Sequence, residues 1–261
     1  MSSFARVAPL GTDPYAFQPG YYDLFRASRG EGALPDPRFF ADRAPRDGHA
    51  LEIGAGTGRI TLAVAERAAT VLCLERSATM RAVLLAKLAE RPHLRARVTV
   101  LDRAAPHFDL DRRFDFVYLA GVLEHVPHAE RPALFEAIAE HLAEDGEVAM
   151  DMVLSEPVPD WPEHVADVAS LGDCRYEMSC EARPDGDDRA HLRFVYRTYH
   201  RGDPVATEVV ERAHYLHRPD AVVADLAAAG LTPTAGTALR PVDDGEDPGT
   251  LVARRTSSTS T

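Results

Sequence analysis

"LEIGAGTGRI", residues 51–60, decides how the rest of the chain is read: an apolar, strand-like run meets three glycines spaced two apart and continues as a helical pattern. Glycine has no Cβ and takes positive φ freely, so this spacing marks a sharp turn with something lying close to it. "HALEI" reads as the strand and Thr57 to Arg67 as the helix. Such a turn can cradle a dinucleotide pyrophosphate, with an acid about 20 residues on gripping a ribose. Glu75 stands at that place, but the dinucleotide fingerprint wants glycine where this chain has Arg59. Spacing alone therefore leaves a nicotinamide cofactor and another adenosine-containing one both open.

Working outward, short apolar runs alternate with helical ones. "TVLCLE" is a second strand, followed by a helix with Met80, Val83, Leu84 and Leu88 on one face; "RVTVLD" is a third strand and "FDFVYLAGV" a fourth. A helix around Leu134, Ile138 and Leu142 precedes "GEVAMDMV", with Gly146 where a helix C-cap would be. Alternation of this kind implies βαβ units, a mostly parallel sheet covered on both faces, and a ligand at the carboxyl edge of the strands. Upstream, "YYDLFRAS" and "DPRFFADRA" read as helical within an irregular segment. After residue 153 comes an irregular, Pro- and acid-rich stretch, "LSEPVPDWPEHVADVASLGDC", then two β-rich runs joined by "RGDP". That is an antiparallel hairpin, and symmetry about Gly202 and Asp203 would set Arg197 across from Glu208. "RPDAVVADLAAAG" is a last helix ending at glycine, "LTPTAGTAL" and "GTLVARR" are the last strands, and "TSSTST" reads as a disordered tail.

Composition bounds the chemistry. With 261 residues, 45% hydrophobic and 27% charged, one large globular domain with an elaborated cap is expected. No apolar run approaches a membrane span and the N-terminus lacks a secretory pattern, so a soluble, cytoplasmic protein is expected. The net charge of −12 argues against a nucleic-acid surface. Three cysteines, Cys73, Cys174 and Cys180, fit neither a disulfide framework nor a zinc cluster, and Cys73 reads as a buried strand residue. Lys87 is the only lysine, Gln18 the only glutamine, and asparagine is absent; a GC-rich coding bias accounts for this and for the arginine excess.

The G-x-G-x-G form preceded by an acid resembles motif I of the class I S-adenosylmethionine (SAM) dependent methyltransferases. "LERSATM" is similar to that family's second motif, "VLDRA" to its third, "FDFVYLAGVLEHV" to its fourth, "GEVAMDM" to its fifth strand, and "YYDLF" to the lid before motif I. The resemblance covers residues 21–153 well and 218–255 loosely. It implies a doubly wound α/β fold with a mostly parallel, seven-stranded sheet and an antiparallel β cap inserted after strand 5. The organisation expected is an N-terminal lid over residues 1–48, a SAM-binding core over 49–153, an acceptor-binding cap over 154–217, a C-terminal helix and strands over 218–255, and a tail over 256–261.

Carried over by position, the resemblance implies that Gly54, Ala55, Gly56 and Gly58 bring the backbone near the methionine part of SAM and that Glu75 accepts both ribose hydroxyls. Asp102, with Arg103, would face the adenine amine; Arg76, Met80, Leu119, Ala120 and Tyr22 would complete the cofactor site, and Glu52 would lie near the ammonium. Three acids, Glu52, Glu75 and Asp102, would make the pocket acidic, which suits a sulfonium and an ammonium better than a pyrophosphate. Tyr21, Trp161 and Tyr196 are the expected acceptor contacts. Each has a plainer competitor: Glu75 could be solvated, Asp102 could cap a turn, and Tyr15, Tyr21 and Tyr22 could simply cover the core.

His125, just past the fourth strand, is the candidate catalytic residue, because imidazole titrates near neutrality and can take a proton from an attacking hydroxyl or amine. It could instead orient Glu124 or cap the next helix. His128 does not make a metal site with it: one His-x-x-His pair is weak, and no asparagine exists to complete an oxygen ligand set. The reading that results is a methyltransferase acting on an O or N atom of a small molecule in natural product metabolism, a monomer or homodimer with no metal and no nucleic-acid or membrane partner. Alternatives are a SAM-fold protein with a non-methylating reaction such as cyclisation, or a peptide or protein methyltransferase.

Overall fold

The computed structural model describes residues 6–7, 13, 15, 18–28, 36–151, 160–235, 237 and 249–256. Residues 154–159, the start of the expected cap, and 257–261, nearly all of the expected tail, lie outside them. In chain order the elements are β1 (Arg6–Val7), α1 (Pro19–Ser28), α2 (Pro37–Arg43), β2 (His49–Ile53), α3 (Arg59–Ala65), β3 (Thr70–Leu74) and α4 (Ala78–Ala89). Then come β4 (Val98–Leu101), β5 (Phe114–Leu119), a 3-10 turn (Leu123–His125), α5 (Arg131–His141) and β6 (Leu142–Asp151). The chain continues through β7 (Trp161–Leu171), β8 (Cys174–Pro184), β9 (Arg189–His200), β10 (Asp203–Tyr215), α6 (Pro219–Ala228), β11 (Leu231–Pro233) and β12 (Thr250–Arg255).

Seven strands form one sheet in the order β11-β12-β6-β5-β2-β3-β4, parallel except where β12 runs antiparallel to both neighbours. The chain starts at β2, winds outward through β3 and β4, then crosses to β5 on the other side. The strand order therefore reverses between β2 and β5, and a crevice opens at their carboxyl ends. Each face carries its own apolar layer, as period-2 alternation requires of a strand covered on both sides. Leu51, Ile53, Val117 and Leu119 pack against Leu134, Phe135, Ile138, Val222 and Leu226. Ala50, Cys73, Phe116 and Tyr118 pack on the opposite face against Phe40, Ile60, Val64, Leu84 and Leu88. The three cysteines are free thiols and Cys73 is fully buried.

The cap is larger than the sequence pattern suggested. Trp161–Leu171, expected to be irregular, is a full strand, and β7, β8, β9 and β10 form an antiparallel sheet that the short β1 extends in parallel. Most side chains of β7 are exposed, so no apolar alternation announces it. The β9–β10 hairpin turns one residue earlier than symmetry implied, at Arg201 and Gly202, both with positive φ, and carries an irregularity between Pro204 and Ala206. Arg197 therefore pairs in register with Thr207, Glu208 pairs with Tyr196, and the Arg197 guanidinium reaches Glu163 at 2.5 Å instead. Gly146 is likewise a strand residue; α5 stops at His141, whose Nε2 accepts the Leu110 N–H at 2.9 Å.

The glycine turn resolves into distinct roles. All three glycines have positive φ, 74° at Gly54, 56° at Gly56 and 82° at Gly58. A Cβ on Gly58 would collide with Leu84 Cδ1 of α4, and one on Gly54 with Val122 Cγ2, whereas a Cβ on Gly56 would meet nothing within 4 Å. Only Gly56 thus faces open space; the other two are packing constraints. Gly58→Ala should destabilise by about 2–4 kcal/mol, combining left-handed strain with overpacking, and Gly56→Ala by only about 1–2 kcal/mol. Urea unfolding of both variants checks this, and equal losses would mean that the Leu84 contact does not hold the turn.

Candidate active site

At the carboxyl ends of β2, β3 and β5 lies a cavity of about 280 Å³. Its walls include Ile53, Gly54, Gly56, Leu74, Glu75, Arg76, Met80, Arg103, Ala120, Gly121, Val122 and His125, closed by Tyr15 and Tyr22 from the N-terminal segment and by Arg212 and Ala213 from β10. The Glu75 carboxylate organises it. Its Oε2 accepts the Gly56 N–H at 2.8 Å and its Oε1 the Ser77 N–H at 2.7 Å. Burial pushes its pKa up while those two N–H groups pull it down. Each oxygen keeps a further lone pair.

The N-terminal segment is fastened over this edge by specific bonds. Asp23 of α1 accepts the Thr57 hydroxyl at 2.7 Å and pairs with Lys87 at 2.7 Å, while the Lys87 ammonium also donates to the Thr57 carbonyl at 2.9 Å. The single lysine of the chain thus ties α1 and α4 to the glycine turn. Asp13 accepts the Ser77 hydroxyl at 2.6 Å, and the Tyr15 hydroxyl lies 2.6 Å from His125 Nε2. His125 also meets the His214 ring edge-on, with centroids 4.8 Å apart. Burial, reinforced by the positive side chains nearby, Arg212 and Arg76 among them, holds the His125 pKa well below its ordinary value of 6.5. The imidazole is neutral at pH 7.

Several expected site residues gather here and several do not. Gly54, Gly56, Glu75, Arg76, Met80, Arg103, Ala120, Tyr22 and His125 line the cavity. Ala55 and Leu119 are buried beside it, and Gly58 caps α3. Glu52 faces the other side of β2, where it accepts hydrogen bonds from Thr61, from Tyr118 at 3.0 Å and from the Cys73 thiol at 3.7 Å. Strand alternation is the reason: Leu51 and Ile53 take one face, so Glu52 must take the other. Asp102 is 69% exposed and pairs with Arg81 at 2.8 Å.

The cavity is therefore not the acidic pocket expected. Of its charged walls among the described residues, only Glu75 is an acid, against Arg76, Arg103 and Arg212. Tyr21 and Tyr196 do not reach the cavity either; with Phe25 and Tyr176 they form the aromatic contact between α1 and the cap sheet, and Tyr21 bonds Thr198 at 2.9 Å. Trp161 is 43% exposed on β7, the edge strand farthest from β10. Tyr15, weighed from the sequence as a cover for either the cofactor or the core, lines the cavity, and the residue that sequence reasoning did not single out is Arg212. A lone arginine between Val210 and His214 on one face of a strand was the only available signal.

Comparison with known proteins gives this geometry its class. Residues 50–146 match the family model of a methyltransferase domain. No curated protein sequence matches the chain. Solved structures of similar fold include the DesVI protein of Streptomyces venezuelae, with a TM-score of 0.75 at 20% identity over 90% of this chain and 96% of that one. A sugar N-methyltransferase from a Streptoalloteichus species superimposes with a TM-score of 0.72 at 23% identity over 98% of both chains. An amino pentose methyltransferase from Micromonospora echinaspora, involved in calicheamicin biosynthesis and solved with SAM bound, gives 0.71 at 21% over 90% and 97%. Residues 50–146 thus match a methyltransferase domain, and the fold is one shared with SAM-dependent methyltransferases of solved structure, one of them holding SAM.

The residues present fit that cofactor. Glu75 offers two carboxylate oxygens at the end of β3, Gly56 leaves the backbone open beside it, and Met80 supplies an apolar wall. Glu75→Ala should weaken SAM binding by about 2–4 kcal/mol through loss of charge-assisted hydrogen bonds, measured by calorimetry. Unchanged affinity would place the ribose elsewhere. Glu52 carries a pH signature instead. Burial raises its pKa to about 7 from an ordinary 4.5. Between those values the folded state holds a proton that the unfolded state has released, so its contribution is complete below pH 4.5 and is lost as pH rises towards 7. Glu52→Gln should gain about 1–3 kcal/mol relative to the wild type across that window; a difference independent of pH would contradict it.

Proposed function

We propose that the chain transfers a methyl group from SAM to a nitrogen or oxygen atom of a small molecule in natural product metabolism, with His125 receiving the proton that the acceptor gives up. The observation that carries this reading is the position of a neutral imidazole, bonded to Tyr15, on the wall of the same cavity as Glu75 and the glycine turn. When bound, SAM supplies an electrophilic methyl group. The chain's own part is to fix the acceptor, exclude water and hold a base ready. Tyr15 and Tyr22 cover the open edge, and the cap sheet bounds the acceptor end through Arg212 and Ala213 of β10. A basic nitrogen is the acceptor atom favoured by the names of the sugar N-methyltransferase and the amino pentose methyltransferase.

The reading includes a cytoplasmic enzyme, monomeric or homodimeric, without nucleic-acid or membrane partners. The net charge of −12 argues against a nucleic-acid surface, and no helix among the described residues is long and apolar enough to cross a membrane. Transfer of labelled methyl from SAM separates methylation from a cyclisation or other non-methylating reaction on the same fold.

His125→Ala should lower kcat by about 10²- to 10⁴-fold on a hydroxyl or protonated-amine acceptor while SAM affinity stays within about twofold. Because the imidazole must be neutral to accept a proton and its pKa is depressed, wild-type activity should persist below pH 6.5 before an acid limb appears. A mutant within about twofold of wild type removes His125 from the mechanism, and an acid limb at or above pH 6.5 contradicts the depressed imidazole.

A further inference from the structure

Arg212 places a positive charge on the cavity wall without an ion pair among the described residues. It sits on β10, lines the cavity, and its guanidinium lies 4.7 Å from the centroids of both the Tyr15 and Phe194 rings. Glu124 is the acid whose carboxyl feels its charge, and its buried Nε has no hydrogen-bond partner. Ring contacts use the cation's charge but none of its five N–H donors. Sequestering such a group without a counter-charge costs free energy unless an anion arrives with the ligand.

The surroundings restrict what that anion can be. Tyr15, against which Arg212 packs, bonds His125, so the guanidinium stands at the reacting end of the cavity. His125 and His214 flank it, and burial, with help from Arg212 itself, keeps both neutral; that of His214 is pushed down to about 3. Glu124 nearby is buried as well, and burial first, then Asp151, pushes its carboxyl up to about 8 although Arg212 pulls it down. The planar fork of a guanidinium matches one negative charge spread over two coplanar oxygens, which it binds bidentately.

Building on the methyltransferase reading, we propose that Arg212 seats a carboxylate of the acceptor, so that the substrate class is a small carboxylated amine or alcohol with its nucleophilic atom turned toward His125. The arginine then sets specificity: it holds the acceptor by its acid end and leaves the cofactor's contacts to Glu75 and the glycine turn.

The test uses the full-length protein saturated with S-adenosylhomocysteine, with acetate and inorganic phosphate as probes, followed through the arginine Nε–H and imidazole resonances by nitrogen–proton NMR. Acetate should shift the resonance that is missing from the Arg212→Gln spectrum, saturably, and should bind Arg212→Gln at least tenfold more weakly. S-adenosylhomocysteine affinity of the variant should stay within about twofold, which also shows that it folds. No saturable acetate effect, a smaller loss in the variant, or phosphate binding tenfold tighter than acetate would overturn the proposal. So would a large loss of S-adenosylhomocysteine affinity in Arg212→Gln, because the arginine would then serve the cofactor. Failure of the wild type to bind S-adenosylhomocysteine would remove the methyltransferase reading and this proposal together, whereas cofactor binding without an acetate site removes this proposal alone.

Discussion

The carboxylate of Glu75 joins two turns that would otherwise be independent. By accepting N–H groups from Gly56 and Ser77, it ties the turn after β2 to the start of α4. Ser77 in turn caps α4 through the Met80 N–H and gives its hydroxyl to Asp13, which draws the N-terminal segment across the sheet edge. Tyr15 follows Asp13 and reaches His125. One buried charge therefore supports the floor of the cavity, its cover and the setting of its base. Burying a carboxylate is costly, and two backbone donors offset much of that cost, so the free lone pairs remain available to a ligand without an unsatisfied charge being created.

Electrostatics divide the cavity into two ends. Near Glu75 the only negative wall faces the open side of Gly56, while near His125 the field comes from Arg212 and from rings that exclude water. An imidazole in that second environment is kept neutral by burial first and by neighbouring positive charge second. The same two causes that make His125 unable to hold a proton in the resting protein make it a receiver only while a reaction supplies one. This is a different balance from a pocket lined by three acids.

Much of the architecture was readable because both faces of the core strands are covered: apolar runs such as "TVLCL" and "FDFVYL" stand out, and the helices between them repeat at their own period. Glu75 follows such a run directly and His125 comes six residues past one, and both line the cavity. Glu52 was misassigned to the site although the alternation of Leu51 and Ile53 already sent it to the opposite face. The cap was harder. The mostly exposed β7 gives no pattern, and the irregularity between Pro204 and Ala206 shifts the β9–β10 register by an amount that no symmetry argument supplies. Tyr15 and Arg212 meet only after the cap sheet and the N-terminal segment have closed on the core, so neither has a local signal.

The central claim is that Glu75 and the Gly121–His125 turn mark the two ends of one cofactor and acceptor site. A crystal structure of the protein with S-adenosylhomocysteine tests it most directly. The ribose hydroxyls should lie on the Glu75 carboxylate, with the sulfur directed toward Gly121 and His125. A ligand seated with its ribose away from Glu75, or its sulfur facing a different wall from His125, would contradict the account.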